Sequence, residues 1–319
     1  MAGPCSAESE NQVIETALAL KNLGKVQILR AGIWKPRTRP GAFEGYGEEA
    51  LRWLTRAGKM TGLLTSVEVG TPGHTELALK YGVDVLWIGA RTTVNPFQVA
   101  EIASVLRGSN VAVMVKNPVN PDLGLWMGAL ERIHQEGIRK LAAIHRGFYF
   151  FKKSPWRNAP MWEIPIELKR LWPCMPVITD PSHICGKAGM IPDIAQKALD
   201  LEMDGLMLEV HPDPSCALTD RDQQITPAQL SALMDNLIIR RNQLPAGQDD
   251  ILEKLRLEID KLDHELLEIL ARRMEIIDEI GIHKKNHKIT ILQIRRWREM
   301  LEDRLEKGTK LGLEPDFLK

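Results

Sequence analysis

Over its first 243 residues the chain alternates short apolar runs with amphipathic stretches, and this rhythm constrains its fold more than any other feature. Apolar runs at 26–31, 62–67, 83–89, 111–116, 140–145, 176–180 and 205–210 have the length and composition of buried strands. Helical patterns such as 10–23, 71–81, 96–107 and 191–201 lie between them. Strands joined through helices pair in parallel, because each crossover returns the chain to the same end of the sheet. Seven strands can be counted, and an eighth completes a (β/α)8 (TIM) barrel. Its place is just before Gly3-Pro4-Cys5, where the exit loop of a first strand should be, so that strand is expected to be missing or carried by a preceding segment. A doubly wound open sheet is the competing α/β arrangement, but no Gly-x-Gly-x-x-Gly turn supports it.

Pro245-Ala246-Gly247-Gln248 breaks this pattern, and residues 244–250 read as a linker between a domain at 1–243 and a helical one at 251–319. Residues 249–285 contain no Pro and a single Gly, Gly281. Leu252, Leu255, Ile259, Leu262, Leu266, Ile269, Ile276 and Ile280 recur at intervals of three and four, with one gap of seven, which defines a long helix with one apolar seam. Such a seam needs a partner, so the helical domain is expected to form a homodimer or a higher assembly. A second helix follows at about 291–307, and Glu314–Lys319 reads as the first turn of a third, cut off where the sequence stops. The 42 basic and 42 acidic residues balance, which argues against a nucleic-acid partner or a charged membrane surface. No apolar run approaches the roughly 18–20 residues of a membrane span. Met1-Ala2-Gly3-Pro4 carries no leader pattern, and Cys5, Cys174, Cys185 and Cys216 are too scattered for a disulfide framework, so a reducing cytoplasm is expected.

Charged residues gather just after the strand runs, which in a barrel is the face that carries the active site. Arg30-Ala-Gly-Ile-Trp-Lys-Pro-Arg-Thr38 puts Arg30, Lys35 and Arg37 after one strand, and Arg91, Lys116 and Arg146 follow others. One such cation is ordinarily a salt-bridge partner. Six at one mouth are hard to neutralise with protein carboxylates, and a set of phosphorylated substrates is the economical explanation. Cys5, His183, Glu209 and Asp220 also follow strands, and thiolate, imidazole and carboxylate together suit a divalent transition metal. His211, Cys185, Cys216, Asp180 and Asp222 are rival ligands on the same grounds.

Gly3-Pro-Cys-Ser-Ala-Glu-Ser9, Arg30 to Thr38, Gly89-Ala-Arg-Thr-Thr93, Asp180-Pro-Ser-His183 and Glu209-Val-His-Pro-Asp-Pro214 together resemble the type Iβ 3-deoxy-D-arabino-heptulosonate-7-phosphate (DAHP) synthases. The resemblance implies a metal-dependent condensation of phosphoenolpyruvate with erythrose 4-phosphate at the entry to aromatic amino-acid biosynthesis. It implies phosphoenolpyruvate contacts at Arg30, Lys35, Arg91, Lys116 and Arg146, and an erythrose 4-phosphate clamp at Arg37 and Thr38. The implied ligands of Mn2+ or a similar ion are Cys5, His183, Glu209 and Asp220, and Lys35 is the implied proton donor to the new alkoxide, poised by its neighbouring cations. A sister family that makes the octulosonate sugar of lipopolysaccharide is similar, but carries Ala-Asn-Arg-Ser where this chain has Pro36-Arg37-Thr38.

Residues 249–319 resemble the all-helical chorismate mutases, which convert chorismate to prephenate without a cofactor. Arg273 occupies the seam between Ile269 and Ile276, where an apolar residue is expected, and Lys284 lies about 20° away on the same face. Arg256 points about 100° from Arg273, so it reaches a shared site only from a second chain of an intertwined dimer. The resemblance adds Gln293 and Arg296 as substrate contacts and makes Arg273 and Lys284 catalytic. Trp297 departs from the Glu that the family often has there, and a residue of the third helix is absent. The implied whole is a bifunctional enzyme whose helical domain also senses prephenate as a feedback signal. The alternative is a synthase with a non-catalytic helical module for dimerisation and regulation.

Overall fold

The computed structural model describes residues 1–36, 41–152, 154–240, 250–315 and 317–318. They fall into two compact units, Met1–Arg240 and Arg241–Lys319. In the first unit the order is β1 (Ala2–Gly3), α1 (Glu10–Leu23), β2 (Ile28–Ala31), α2 (Glu48–Thr61), β3 (Leu64–Val69), α3 (Pro72–Lys80), β4 (Val85–Ile88), α4 (Ala90–Thr93) and α5 (Pro96–Leu106). It continues with β5 (Ala112–Lys116), α6 (Leu123–Gln135), β6 (Leu141–His145), α7 (Glu163–Leu171), β7 (Val177–Thr179), α8 (Pro181–Cys185), α9 (Ile191–Asp200), β8 (Gly205–Leu206), β9 (Leu208–Glu209) and α10 (Pro227–Asn236).

Six of these helices start where the sequence supplies a side-chain cap. Ser9, Thr71, Asn95, Asp122, Asp180 and Thr226 accept a backbone N–H at the first turn of α1, α3, α5, α6, α8 and α10. Pro72, Pro96, Pro181 and Pro227 stand at the helix start, where a missing N–H does no harm.

All strands are parallel, in the order β8-β7-β6-β5-β4-β3-β2-β1-β9. β8 and β9 are two halves of one strand about Met207. The Met207 N–H bonds to Thr179 O of β7 and the Leu208 N–H to Met1 O, so the last strand position bridges the seventh and the first. The sheet is thus a nearly closed barrel. The first strand, expected to be missing, is present as Ala2–Gly3, paired to β2 through Ala2–Leu29 and to β9 through both residues. Two residues are too few for any periodicity to reveal. Gly3 itself is required there: its φ is +148°, and a Cβ would lie 2.0 Å from Arg30 O.

Side chains alternate across the strands into two buried sets. Leu29, Ala31, Leu86, Ile88, Val113, Val115 and Ala143 face outward onto the helices in the main core. Val85, Trp87, Met114, Ala142, Ile144 and Met207 fill the barrel interior. A barrel of this size is packed solid, so polar chemistry has room only above that plug, at the C-terminal ends of the strands.

In the second unit α11 (Asp250–Asn286) has 37 residues and α12 (Ile294–Lys310) has 17. At about 1.5 Å per residue α11 runs roughly 55 Å. Its seam residues, from Leu252 to Ile280, are exposed. Around Glu314, where the first turn of a third helix was expected, the Phe317 N–H donates to Glu314 O at 3.0 Å, and Asp316 and Lys319 lie outside the described residues. Leu318 packs onto Gly308, where a Cβ would meet it at 2.4 Å. Residues 244–249 of the expected linker lie outside the described residues, and Asp250 opens α11. No helix of the described residues is long and apolar enough to cross a membrane.

Candidate active site

At the C-terminal ends of the strands lies a cavity of about 580 Å3. Lys35 after β2, Arg91 in α4, Lys116 at the end of β5 and Arg146 after β6 line it, together with His183 and Asp220. Each cation is held from behind. Lys116 Nζ donates to buried Asp180 at 2.8 Å, and the Arg146 guanidinium donates to Asn158 Oδ1 at 2.7 Å. Arg91 donates to Pro36 O at 3.0 Å. Burial lowers the Arg146 pKa to about 10, opposed by Asp180 and helped by Arg157 and Arg91, so it remains a cation at neutral pH.

Arg30 is not among the cavity's lining residues. It is fully buried beneath, on the inward face of β2, where it donates to Glu209 Oε1 at 2.8 Å and to Cys5 O at 3.2 Å. Arg37 and Thr38 lie outside the described residues.

The expected metal ligands meet beside this cavity. Ligand atoms of Cys5, Glu209 and Asp220 all lie within 4.8 Å of one another, with Cys5 Sγ 3.4 Å from Asp220 Oδ2. His183 stands next to the group, its Nε2 3.8 Å from Glu209 Oε1 and its Nδ1 2.8 Å from Asp180 Oδ2, without the alignment of a hydrogen bond. Burial holds the His183 pKa below the usual value, which keeps an imidazole free to ligate. Burial also raises the Cys5 thiol to about 12, with Glu209 adding to the effect. Although burial opposes it, Arg157, His183 and Lys35 hold Asp220 well below the ordinary carboxylate range. A sulfur, an imidazole and two carboxylates fit a borderline divalent ion, and such an ion would reverse the protonation of Cys5. Of the rival ligands, Asp180 is committed to Lys116 and Cys216 is exposed. His211 Nδ1 accepts from the Asp213 N–H, and its Nε2 lies 3.7 Å from Glu8.

Lys35 joins the two halves of the site, its Nζ 3.0 Å from Cys5 Sγ and 3.1 Å from Cys5 O. Burial alone would lower its pKa, but Cys5 and Glu209 outweigh that and raise it. Lys35 is therefore an ammonium at neutral pH, the protonated form that a proton donor needs.

In the helical unit a hollow of about 510 Å3 is lined by Lys284 and Gln293 with Glu279, Ile280, His283 and Ile289. Lys284 Nζ donates to Ile291 O at 2.9 Å. Arg256, Arg273 and Arg296 are not among its lining residues; Arg256 pairs with Glu253 at 3.5 Å and Arg296 with Glu299 at 3.9 Å.

Residues 1–241 match the DAHP synthetase I family over the whole of the barrel unit. The chain belongs to that family. Residues 255–319 match chorismate mutase type II. A phospho-2-dehydro-3-deoxyheptonate aldolase of Thermotoga maritima is 31% identical over 225 residues, covering 70% of this chain and 64% of that protein. A 2-dehydro-3-deoxyphosphooctonate aldolase of Caulobacter vibrioides is 26% identical and covers 75% of this chain and 85% of that one. The crystal structure of the Thermotoga maritima aldolase (DAHP synthase) superposes with a TM-score of 0.67 at 30% identity, over 74% of this chain and 66% of that structure. The chain thus spans somewhat under two thirds of the length of that relative.

Within this DAHP synthetase I unit, sequence reasoning passed over Glu68, Arg157, Asn158 and Gln223. Arg157 pairs with Asp220 Oδ1 at 3.0 Å, Gln223 donates to Glu209 Oε2 at 2.6 Å, and Asn158 steadies Arg146. Glu68 sits on β3 and lines the cavity; a carboxylate inside an otherwise uncharged strand was its available signal. The others come from loops without local pattern.

His145, the last residue of β6, is buried beside this site with Nε2 2.6 Å from Pro160 O. Burial lowers its pKa from 6.5 to about 4, with the Pro160 carbonyl and Asp180 opposing. The unfolded chain therefore takes up a proton before the folded one does, so stability is complete above 6.5 and falls as pH drops toward 4. Over that window wild type should lose about 3 kcal/mol more than His145→Gln, whose amide can keep the Pro160 contact. Urea unfolding across the pH series measures this, and parallel curves for the two proteins would contradict it.

Proposed function

We propose that the barrel unit condenses phosphoenolpyruvate with erythrose 4-phosphate to DAHP, releasing phosphate, and that the helical unit rearranges chorismate to prephenate. The observation that carries the first reading is the single cavity in which Lys35, Arg91, Lys116 and Arg146 stand beside the Cys5, Glu209 and Asp220 group. Phosphoenolpyruvate brings a phosphate and a carboxylate, and erythrose 4-phosphate a second phosphate, which matches a surplus of fixed cations. Arg91, Lys116 and Arg146 are assigned to phosphoenolpyruvate, with Arg30 supporting them from below, and Arg37 and Thr38 to the sugar phosphate.

A divalent ion such as Mn2+, held by Cys5, Glu209 and Asp220 with His183, would supply Lewis-acid polarisation of the aldehyde oxygen. The chain's own part is to hold both anions and to manage protons. As C3 of phosphoenolpyruvate bonds to the aldehyde carbon, the carbonyl oxygen becomes an alkoxide, and Lys35 is the ammonium placed to protonate it. Water then adds at the electron-deficient C2, and its protons pass to Lys35 and to the departing phosphate as the C2–O bond breaks and the C2 ketone forms.

Supporting the second reading are Lys284 and Gln293 about one hollow and the exposed seam of α11. A homodimer through α11 would cover that seam and bring Arg256 of one protomer to its partner's Arg273, Lys284 and Arg296. The separation of these arginines from the hollow within one chain also favours the alternative, a helical module that serves dimerisation and prephenate-sensed regulation without turnover. The domain limits proposed are 1–243 and 251–319, in a cytoplasmic enzyme.

Product assays on the purified protein test the condensation. Erythrose 4-phosphate is expected to be the preferred acceptor over arabinose 5-phosphate, EDTA to abolish turnover, and saturating prephenate to slow it. Preference for the five-carbon sugar would move the chain to the octulosonate reaction, and indifference to EDTA or prephenate would remove the metal or the feedback role. For the helical unit, chorismate consumption should fall by about a hundredfold or more in Arg273→Ala. An inactive wild type would leave only the regulatory module, and an active Arg273→Ala would strip Arg273 of its role.

A further inference from the structure

Trp87 lies on the inward face of β4 and is wholly buried, the largest side chain of the barrel plug. Arg30 Cζ stands over its ring at 5.0 Å from the centroid, and Lys116 Nζ at 5.9 Å. Its Nε1–H donates to Glu68 Oε2 at 3.0 Å, from the position on β4 that pairs with Glu68 on β3. One ring therefore touches two cations and one carboxylate, on β2, β5 and β3. An indole does both things at once, since its face is negative and its edge carries a hydrogen-bond donor.

The consequence concerns Glu68. It lines the cavity together with Lys35, Arg91 and Lys116, where a free carboxylate would compete with a substrate's phosphate for the same cations. Among the described residues it forms no ion pair with Lys35, Lys116 or Arg146. It is instead held by the indole and seated over Gly89, where a Cβ would come within 2.1 Å of its Oε1. We propose that Trp87 is a positioning residue of the anion site: its ring face seats Arg30 and Lys116, and its N–H withholds Glu68 from the cations above it. This rests on the reading of the cavity as a phosphoenolpyruvate site.

The ring face and the N–H can be separated. Trp87→Phe keeps an aromatic face and loses the donor, so phosphoenolpyruvate should bind about tenfold more weakly, with kcat much less affected. Adding Glu68→Gln removes the competing charge and should recover most of that affinity, a rescue that a merely misfolded barrel would not show. Trp87→Leu, which has neither face nor donor, should bind more weakly than Trp87→Phe and recover less when Glu68→Gln is added. Calorimetric titration with phosphoenolpyruvate reads binding without turnover, so these outcomes hold whether or not wild type completes the condensation, whose failure would tell against the proposed function alone. Unchanged affinity in Trp87→Phe, or no recovery in the Trp87→Phe/Glu68→Gln protein, overturns the proposal.

Discussion

The buried pair between Arg30 and Glu209 is the interaction on which the site depends. It joins β2 to β9 across the two-residue strand β1, and the same guanidinium holds the Cys5 carbonyl. A parallel barrel must bring its first and last strands together without a hairpin to guide them, and here the backbone pairing at that junction is short. A buried ion pair adds little net stability over a well-packed apolar pair, yet breaking one by removing a partner costs about 3–5 kcal/mol. Its role is thus better read as geometric. With Arg30 at the centre, Cys5 and Glu209 can stand only on either side of it, 204 residues apart in sequence.

Charge is layered around that pair. Trp87 and the apolar plug form the floor, Arg30 with Glu209 and Lys116 with Asp180 form a compensated layer, and Lys35, Arg91 and Arg146 stand above it toward the cavity. Carboxylates are assigned to named partners: Asp180 to Lys116, Glu68 to Trp87, and Asp220 to Arg157 through one oxygen while the other faces Cys5. Among the described residues Lys35 and Arg146 form no ion pair with any of these acids, so the cavity keeps a positive character, as the proposed binding of two phosphorylated substrates requires.

Much of this was legible in the residues. Buried strands such as 111–116 and 140–145 announce themselves because both faces are covered, and the structure places them at Ala112–Lys116 and Leu141–His145. A cation directly after such a run is conspicuous, which is how Lys116 and Arg146 were found. Three things were hidden. Ala2–Gly3 is too short to show a period. Arg30 has the sequence context of a cavity residue, and only the inward pleat of β2 reveals that it is buried below the cavity. Arg157 reaches Asp220 from a loop 63 residues away, a contact that tertiary structure alone creates. In the helical unit the seam was plain, and the structure leaves it exposed.

Closure of the barrel draws Cys5, Glu209 and Asp220 together, and the three are proposed to form one cation site with sulfur in it. Titrating Co2+ into the metal-free protein and following its absorption spectrum tests this most directly, because thiolate bound to cobalt gives a charge-transfer band that oxygen and nitrogen ligands do not. The band is expected to saturate at a single equivalent per chain and to disappear in Cys5→Ser. Cobalt binding without that band, or a band that survives the substitution, would contradict it.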